Sequence, residues 1–150
     1  VSKAGMFNII FKPRDMQLEE EENRVKAMKI LKFLKLQDIA ESQAGGIPYG
    51  TQRLLEIGRA LATRPKLLLL DEPAAGMNSS EKKALVKTIR SIRDEYNLAV
   101  LLVEHDMELV MDISEDITVV NVGRRIAHGT ASEVQANEDV IEAYLGRSDD

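Results

Sequence analysis

The chain has 150 residues, a formal net charge of −5, 44% hydrophobic and 30% charged residues, the balance of an ordinary globular protein long enough to bury a core. Cysteine is absent and histidine occurs twice, which excludes disulfides, thiolate metal sites and a multi-histidine centre, and suits the cytoplasm. The longest apolar run, 98–103, is far short of the roughly 20 residues that span a bilayer; no signal-peptide pattern opens the chain, and the acidic balance gives no nucleic-acid footprint.

The first eighteen residues carry no clear period. Phe7, Ile9 and Phe11 alternate as a short strand would, until Lys12-Pro13-Arg14-Asp15 breaks the pattern. Acids at 19–22 followed by Lys26, Lys29, Lys32 and Lys35 predict a helix charged as its dipole prefers, with a solvated face. Then Gly45-Gly46-Ile47-Pro48-Tyr49-Gly50-Thr51 reads as a glycine-containing loop entering a helix over 52–63. Such a loop can offer unpaired N–H groups to an anion, or be a plain helix-entry turn. Arg64-Pro65 stops that helix.

Leu67-Leu68-Leu69-Leu70 predicts a strand buried on both faces of a parallel sheet. Asp71 and Glu72 follow at its C-terminal end, where open α/β sheets bind ligands, and Pro73 ends the ladder. An acidic strand tip can hold a hydrated magnesium ion and orient a water beside a phosphate; the same pair also suits a helix cap or a solvated turn. Asn78 and Glu81 have capping-box spacing, and Leu85, Ile89, Ile92 and Tyr96 share one helical face. Residues 99–103 make a second buried strand, ending at Glu104-His105-Asp106. A helix from Met107 to about residue 113 leads to a strand over 117–121. Gly123 turns the chain into an edge strand over 125–128. Thr130 and Glu133 again have capping-box spacing, and Asn137 caps a last helix ending at Gly146. Strands alternating with helices imply right-handed βαβ units on a parallel sheet. Neighbouring parallel strands would then bring Asp71 and Glu72 near His105, which could otherwise be a capped core histidine.

Four motifs in order, carried by five stretches, give a family resemblance. Ile47-Pro48-Tyr49-Gly50-Thr51-Gln52-Arg53, then Glu56-Ile57-Gly58-Arg59-Ala60-Leu61, then 67–73, resemble the signature-to-Walker-B stretch of ABC-transporter ATPases. Ala74-Ala75-Gly76-Met77-Asn78 resembles the D-loop, and Val103-Glu104-His105-Asp106 the switch-histidine loop. The Tyr49-Gly50 signature, Asn78 in place of an aspartate, Glu104-His105-Asp106-Met107, and the closing Gly129-Thr130 through Tyr144-Leu145-Gly146 are similar to the ATP-binding subunits of branched-chain amino acid importers. The match covers roughly 30–146.

The resemblance implies an α/β fold: an incomplete P-loop NTPase (RecA-like) parallel-sheet core, part of the ABC helical subdomain, and a C-terminal helical end. Residues 1–64 would be the remnant of the helical subdomain with the signature loop and following helix, and 65–150 the C-terminal part of the nucleotide-binding core. It implies ATP and Mg2+ as ligands of the intact protein, a head-to-tail partner ATP-binding subunit, a transmembrane permease, no nucleic acid, and a place in the cytoplasm on the inner face of the membrane. Asp71 would hold magnesium, mostly through water; Glu72 would orient the attacking water; His105 would contact the γ-phosphate. The signature loop Ile47, Pro48, Tyr49, Gly50, Thr51 and Gln52, and the D-loop Ala75, Gly76, Met77 and Asn78, would meet nucleotide across the dimer.

Departures temper this. No G-x-x-x-x-G-K-S/T segment occurs, so the phosphate-cradling P-loop is missing, and no glutamine loop is identifiable. The chain is therefore expected to be the C-terminal portion of a longer ATPase and, alone, to bind ATP poorly or not at all. Pro48 and Thr51 stand where the signature has serine and glutamine; Pro48 lacks both a hydroxyl and an N–H. Without the P-loop strand, the sheet is expected to close over the gap, or two chains to associate or swap elements. Two further classes stay open: a non-catalytic interaction fragment, and an ATPase of the DNA-repair or chromosome-maintenance type, although 19–36 is too short for the coiled coil of the latter.

Overall fold

The computed structural model describes residues 14–145, so the strand pattern at 7–11 and the helix end at Gly146 lie outside the described residues. The chain divides into two compact units, Val1–Leu68 and Leu69–Asp150. In the first, helix α1 (Arg14–Phe33) is followed by two short 3-10 turns, Gln37–Ile39 and Ala44–Gly46, and by helix α2 (Tyr49–Ala62). Helix α1 starts earlier than the lysine periodicity suggested, because its first turn is polar and shows no apolar stripe. Leu34, Leu36, Ile57 and Leu61 are the buried apolar side chains of these elements. Gly58 allows the two helices to close up: a Cβ there would sit 2.9 Å from Leu34 Cδ1.

Strand β1 (Leu67–Asp71) spans the division and pairs with β2 (Ala99–Val103). Glu72 N–H donates to the Val103 carbonyl at 2.9 Å, which sets the two C-terminal ends side by side and makes the pair parallel. Helix α3 (Ser79–Tyr96) connects them. Both signals of the predicted capping box are present at its start: Asn78 Oδ1 accepts from Ser80 and Glu81 N–H, and Glu81 accepts from Asn78 N–H. Leu85, Val86, Ile89 and Ile92 are its buried residues.

Helix α4 (Met107–Ile113) precedes a hairpin of β3 (Ile117–Asn121) and β4 (Arg124–Gly129). Ile117 pairs with Gly129 and Asn121 with Arg124, antiparallel, with a bulge between Val119 and Val120. Short helices α5 (Ala131–Gln135) and α6 (Glu138–Val140) and a single π turn (Ile141–Leu145) complete the described chain. Ile117, Val119, Ala127, Val134 and Val140 form one core cluster here. Thr130 and Asn137 cap as expected.

Three expectations fail. The strands β1 and β2 are not buried on both faces: β1 alternates exposed and buried, and Leu69 is 65%, Leu101 56% and Val103 58% exposed. A continuous apolar run fits a doubly covered strand, but the covering layer must be supplied by other residues, and the run cannot reveal whether they are present. Strand β3 does not extend the parallel sheet; it pairs with β4 in a separate two-stranded sheet. Nor does the sheet close over the gap. Among the described residues β2 and β3 each keep an edge without a partner strand. A groove of about 930 Å³ is lined by Leu101 and Val103 of β2, Ile117 and Val119 of β3, and Ile113 and Tyr144.

Candidate functional site

Because β1 and β2 end together, the residues just past them meet. Beyond Asp71 the backbone turns at once. Glu72 has φ 43°, the left-handed region, which costs a residue with a Cβ about 1–2 kcal/mol. Ala75 N–H donates to the Glu72 carbonyl at 3.2 Å and Met77 N–H to that of Ala74 at 3.1 Å. Gly76 (φ 73°) takes a second left-handed step without a Cβ to resist it.

His105 Nδ1 lies 3.3 Å from Glu72 Oε1, with the two side chains 71% and 53% exposed. With its proton on Nδ1 the ring donates to the carboxylate, and both groups stay open to a ligand. Asp71 is exposed at the end of β1. Among the described residues no group of three or more His, Asp or Glu side chains could hold a metal by itself. The donor set still fits magnesium, which takes one or two carboxylates and completes its shell with water and phosphate oxygens.

Glu104, to which sequence reasoning gave no role, links the two strand ends. Its side chain is 2% exposed. One oxygen accepts from Ala74 N–H at 3.0 Å and the other from His105 N–H at 3.2 Å. A glutamate just past a strand reads as solvated, so only the three-dimensional neighbourhood reveals it. Asp106 accepts from Leu109 N–H at 3.1 Å, capping α4, and forms an ion pair with Lys82 in the first turn of α3. The Lys82 ammonium, and then the Leu109 N–H, hold the Asp106 carboxyl below its ordinary pKa; Asp106 in turn raises that of Lys82.

Ala75, Gly76 and Met77, which resemble a D-loop in sequence, form the turn described above. The Asn78 carboxamide oxygen is committed to the α3 cap. In the first unit, residues 47–52 are not a loop throughout. Helix α2 begins at Tyr49, with Pro48 as its N-cap at φ −56°, because proline's fixed φ suits a helix start. Tyr49, Gly50, Thr51 and Gln52 are therefore the first helical turn, and its leading N–H groups have no side-chain cap. Gln52 Nε2 donates to the Ile47 carbonyl at 2.9 Å. The Arg53 guanidinium lies 5.2 Å from the Tyr49 ring centre and donates to its hydroxyl at 2.9 Å.

This geometry can be set beside known proteins. The family described as "ABC transporter" matches residues 7–75, starting inside the stretch where no period was legible. The family "Branched-chain amino acid ATP-binding cassette transporter" matches 124–150. The high-affinity branched-chain amino acid transport ATP-binding protein LivG of Salmonella typhimurium is 44% identical over 97% of this chain and 57% of its own length. BraF of Pseudomonas aeruginosa, of the same description, is 45% identical over 93% of this chain and 54% of its own length. Among solved structures, the ADP conformation of an ATP-binding cassette of an ABC transporter superposes with a TM-score of 0.76 at 32% identity, over 84% of this chain and 51% of the other. The chain thus spans about half the length of the relatives it matches. Ordered motifs, α/β architecture and sequence likeness agree: the chain is similar to the ATP-binding proteins of ABC transporters, among them those of branched-chain amino acid transport.

Proposed function

We infer that this sequence serves as part of an ATP-hydrolysing subunit that drives import of branched-chain amino acids through a membrane permease. The reading is carried by the 3.3 Å approach of His105 to Glu72 at the joint tip of two parallel strands, with both side chains open. Residues 1–64 act as the helical-subdomain part bearing the signature turn, and 65–150 as part of the nucleotide-binding core. Glu72 accepts the proton side of the attacking water and orients it, with general-base help worth about 10²–10⁴-fold. His105 contacts the γ-phosphate, and its link to Glu72 keeps the ring aimed. Asp71 would hold magnesium, mostly through water; when bound, that ion would neutralise charge on the phosphates. The uncapped first turn of α2, 49–52, offers N–H groups to the nucleotide of a second subunit, and 75–78 runs along the same dimer contact. The place of such a subunit is the cytoplasmic face of the membrane, held by the permease. Among the described residues no helix is long and apolar enough to cross a membrane.

The chain as given, without a G-x-x-x-x-G-K-S/T segment, binds ATP weakly or not at all, and a fluorescent-ATP titration reaching micromolar affinity with magnesium would refute this. The exposed Leu69, Leu101 and Val103 favour a second reading for the chain by itself, as a module that associates with copies of itself. The main test is Glu72→Gln in a protein of the relatives' full length bearing a P-loop. Turnover should fall about 100-fold or more while ATP binding persists. Turnover that survives removes Glu72 from its role.

A further inference from the structure

We propose that Glu104 is a positioning residue that locks the turn after β1 to the switch histidine, so that Glu72 and His105 are set by one shared carboxylate. The proposal rests on the reading of Glu72 and His105 as the hydrolytic pair and extends it to a residue that acts through them.

Three consecutive residues grip one turn. Val103 accepts from Glu72 N–H through its carbonyl at 2.9 Å. Glu104 accepts from Ala74 N–H through Oε1 at 3.0 Å. His105 reaches the Glu72 carboxylate through its ring at 3.3 Å. Glu72 sits in a left-handed conformation that it would not choose unaided, and these contacts hold it there from both sides. Glu104 is the one buried member: its side chain is 2% exposed and the Ala74 it holds is 3% exposed. A buried carboxylate must be satisfied by donors. Its second oxygen takes the His105 N–H at 3.2 Å, so the same group fixes the backbone from which the imidazole springs. Asp106, capping α4 and paired with Lys82, anchors the far end of this short segment. The turn and the histidine therefore cannot shift independently.

The chemistry makes a conservative variant informative. A carboxylate accepts at both oxygens; a carboxamide accepts at one and presents N–H donors at the other. In Glu104→Gln one of the two amides, Ala74 or His105, must face an N–H, whichever way the group is turned. The volume is unchanged, so folding is preserved while the link is broken.

Two measurements test this. In the chain as given, amide hydrogen exchange of unsubstituted protein should show Ala74 and His105 protected, and Glu104→Gln should speed exchange at one or both at least tenfold, with Ile92 unchanged as a folding control. An unprotected Ala74 amide in the unsubstituted protein overturns the proposal without any variant. In a protein of the relatives' full length, Glu104→Gln should lower kcat at least tenfold with KM for ATP changed less than twofold. A changed exchange pattern with unchanged kcat reduces Glu104 to a fold contact and sinks the positioning role, as does a rise in KM alone. His105→Ala serves as the separating control. If it abolishes turnover while Glu104→Gln does not alter it, the present inference alone fails; if both leave turnover intact, the reading of the hydrolytic pair falls with it.

Discussion

At the scale of single residues, the charges around residues 104–106 divide into an open pair and a held pair. Glu72 and His105 are both more than half exposed, whereas Asp106 is tied to Lys82 and to the start of α4. The Asp106 carboxyl is held below its ordinary pKa, first by Lys82 and then by the Leu109 N–H. A depressed folded-state pKa contributes stability above the unfolded value, and that contribution is lost as pH falls through the folded value. The relevant window therefore opens below about pH 4, the ordinary carboxylate range. Asp106→Asn keeps a capping oxygen but deletes the charge. Its thermal midpoint should lie below that of the unsubstituted protein at pH 7, and the difference should shrink towards pH 3. An unchanged difference across that range would remove the ion pair from the account.

The residues of the Glu72–His105 contact could be singled out from strand ends and motif order alone, because both features are local in sequence. Glu104 could not. Its burial depends on a turn thirty residues upstream folding back over it, and nothing in the neighbouring letters signals that. The Asn78 side chain shows the converse. Its spacing to Glu81 announced a cap, and the cap engages the side-chain oxygen of Asn78.

At the scale of elements, caps and turns set most boundaries. Two capping boxes and the Asn137 cap were legible because each needs only two residues at fixed spacing. The start of α2 was misplaced because glycines suggested a loop, whereas Pro48 already has the dihedral of a helix entry. The hairpin turn between β3 and β4 carries a local conflict. Val122 and Gly123 both have positive φ, 45° and 74°, as a type I′ turn requires. Glycine accepts this readily; a β-branched residue does not. Val122 is also 95% exposed, so its side chain gains nothing from burial. Val122→Asn should therefore raise stability by about 1 kcal/mol, or roughly 3 °C in thermal midpoint, read by calorimetry. A lower midpoint would show that the valine has a contact the turn geometry does not reveal.

At the scale of the whole molecule, the second unit carries two small sheets rather than one large one, and it leaves apolar residues uncovered. Continuous apolar runs announced strands correctly, but burial on a second face belongs to whatever packs there and is not written in the strand. The uncovered Leu69, Leu101 and Val103, beside strand edges without partners among the described residues, favour association between copies. Light scattering should show mass rising with concentration. Leu69→Lys combined with Leu101→Lys should shift the profile towards monomer without unfolding, since both side chains are already more than half exposed. A profile that is monomeric throughout, or one that the double substitution leaves associated, would place the sticky surface elsewhere or remove it.

The groove lined by β2 and β3 also orders events in time. Its walls are assembled differently: β3 and β4 meet through a two-residue turn, whereas β1 and β2 pair in parallel across an intervening helix. The hairpin wall forms early and the parallel wall later. Any extended segment that settles between the walls must arrive after both exist and must dock on two edges at once, the slowest kind of strand addition. The interval before that arrival is when a nascent chain is most exposed to wrong partners, and when a chaperone holding the two edges apart would matter most.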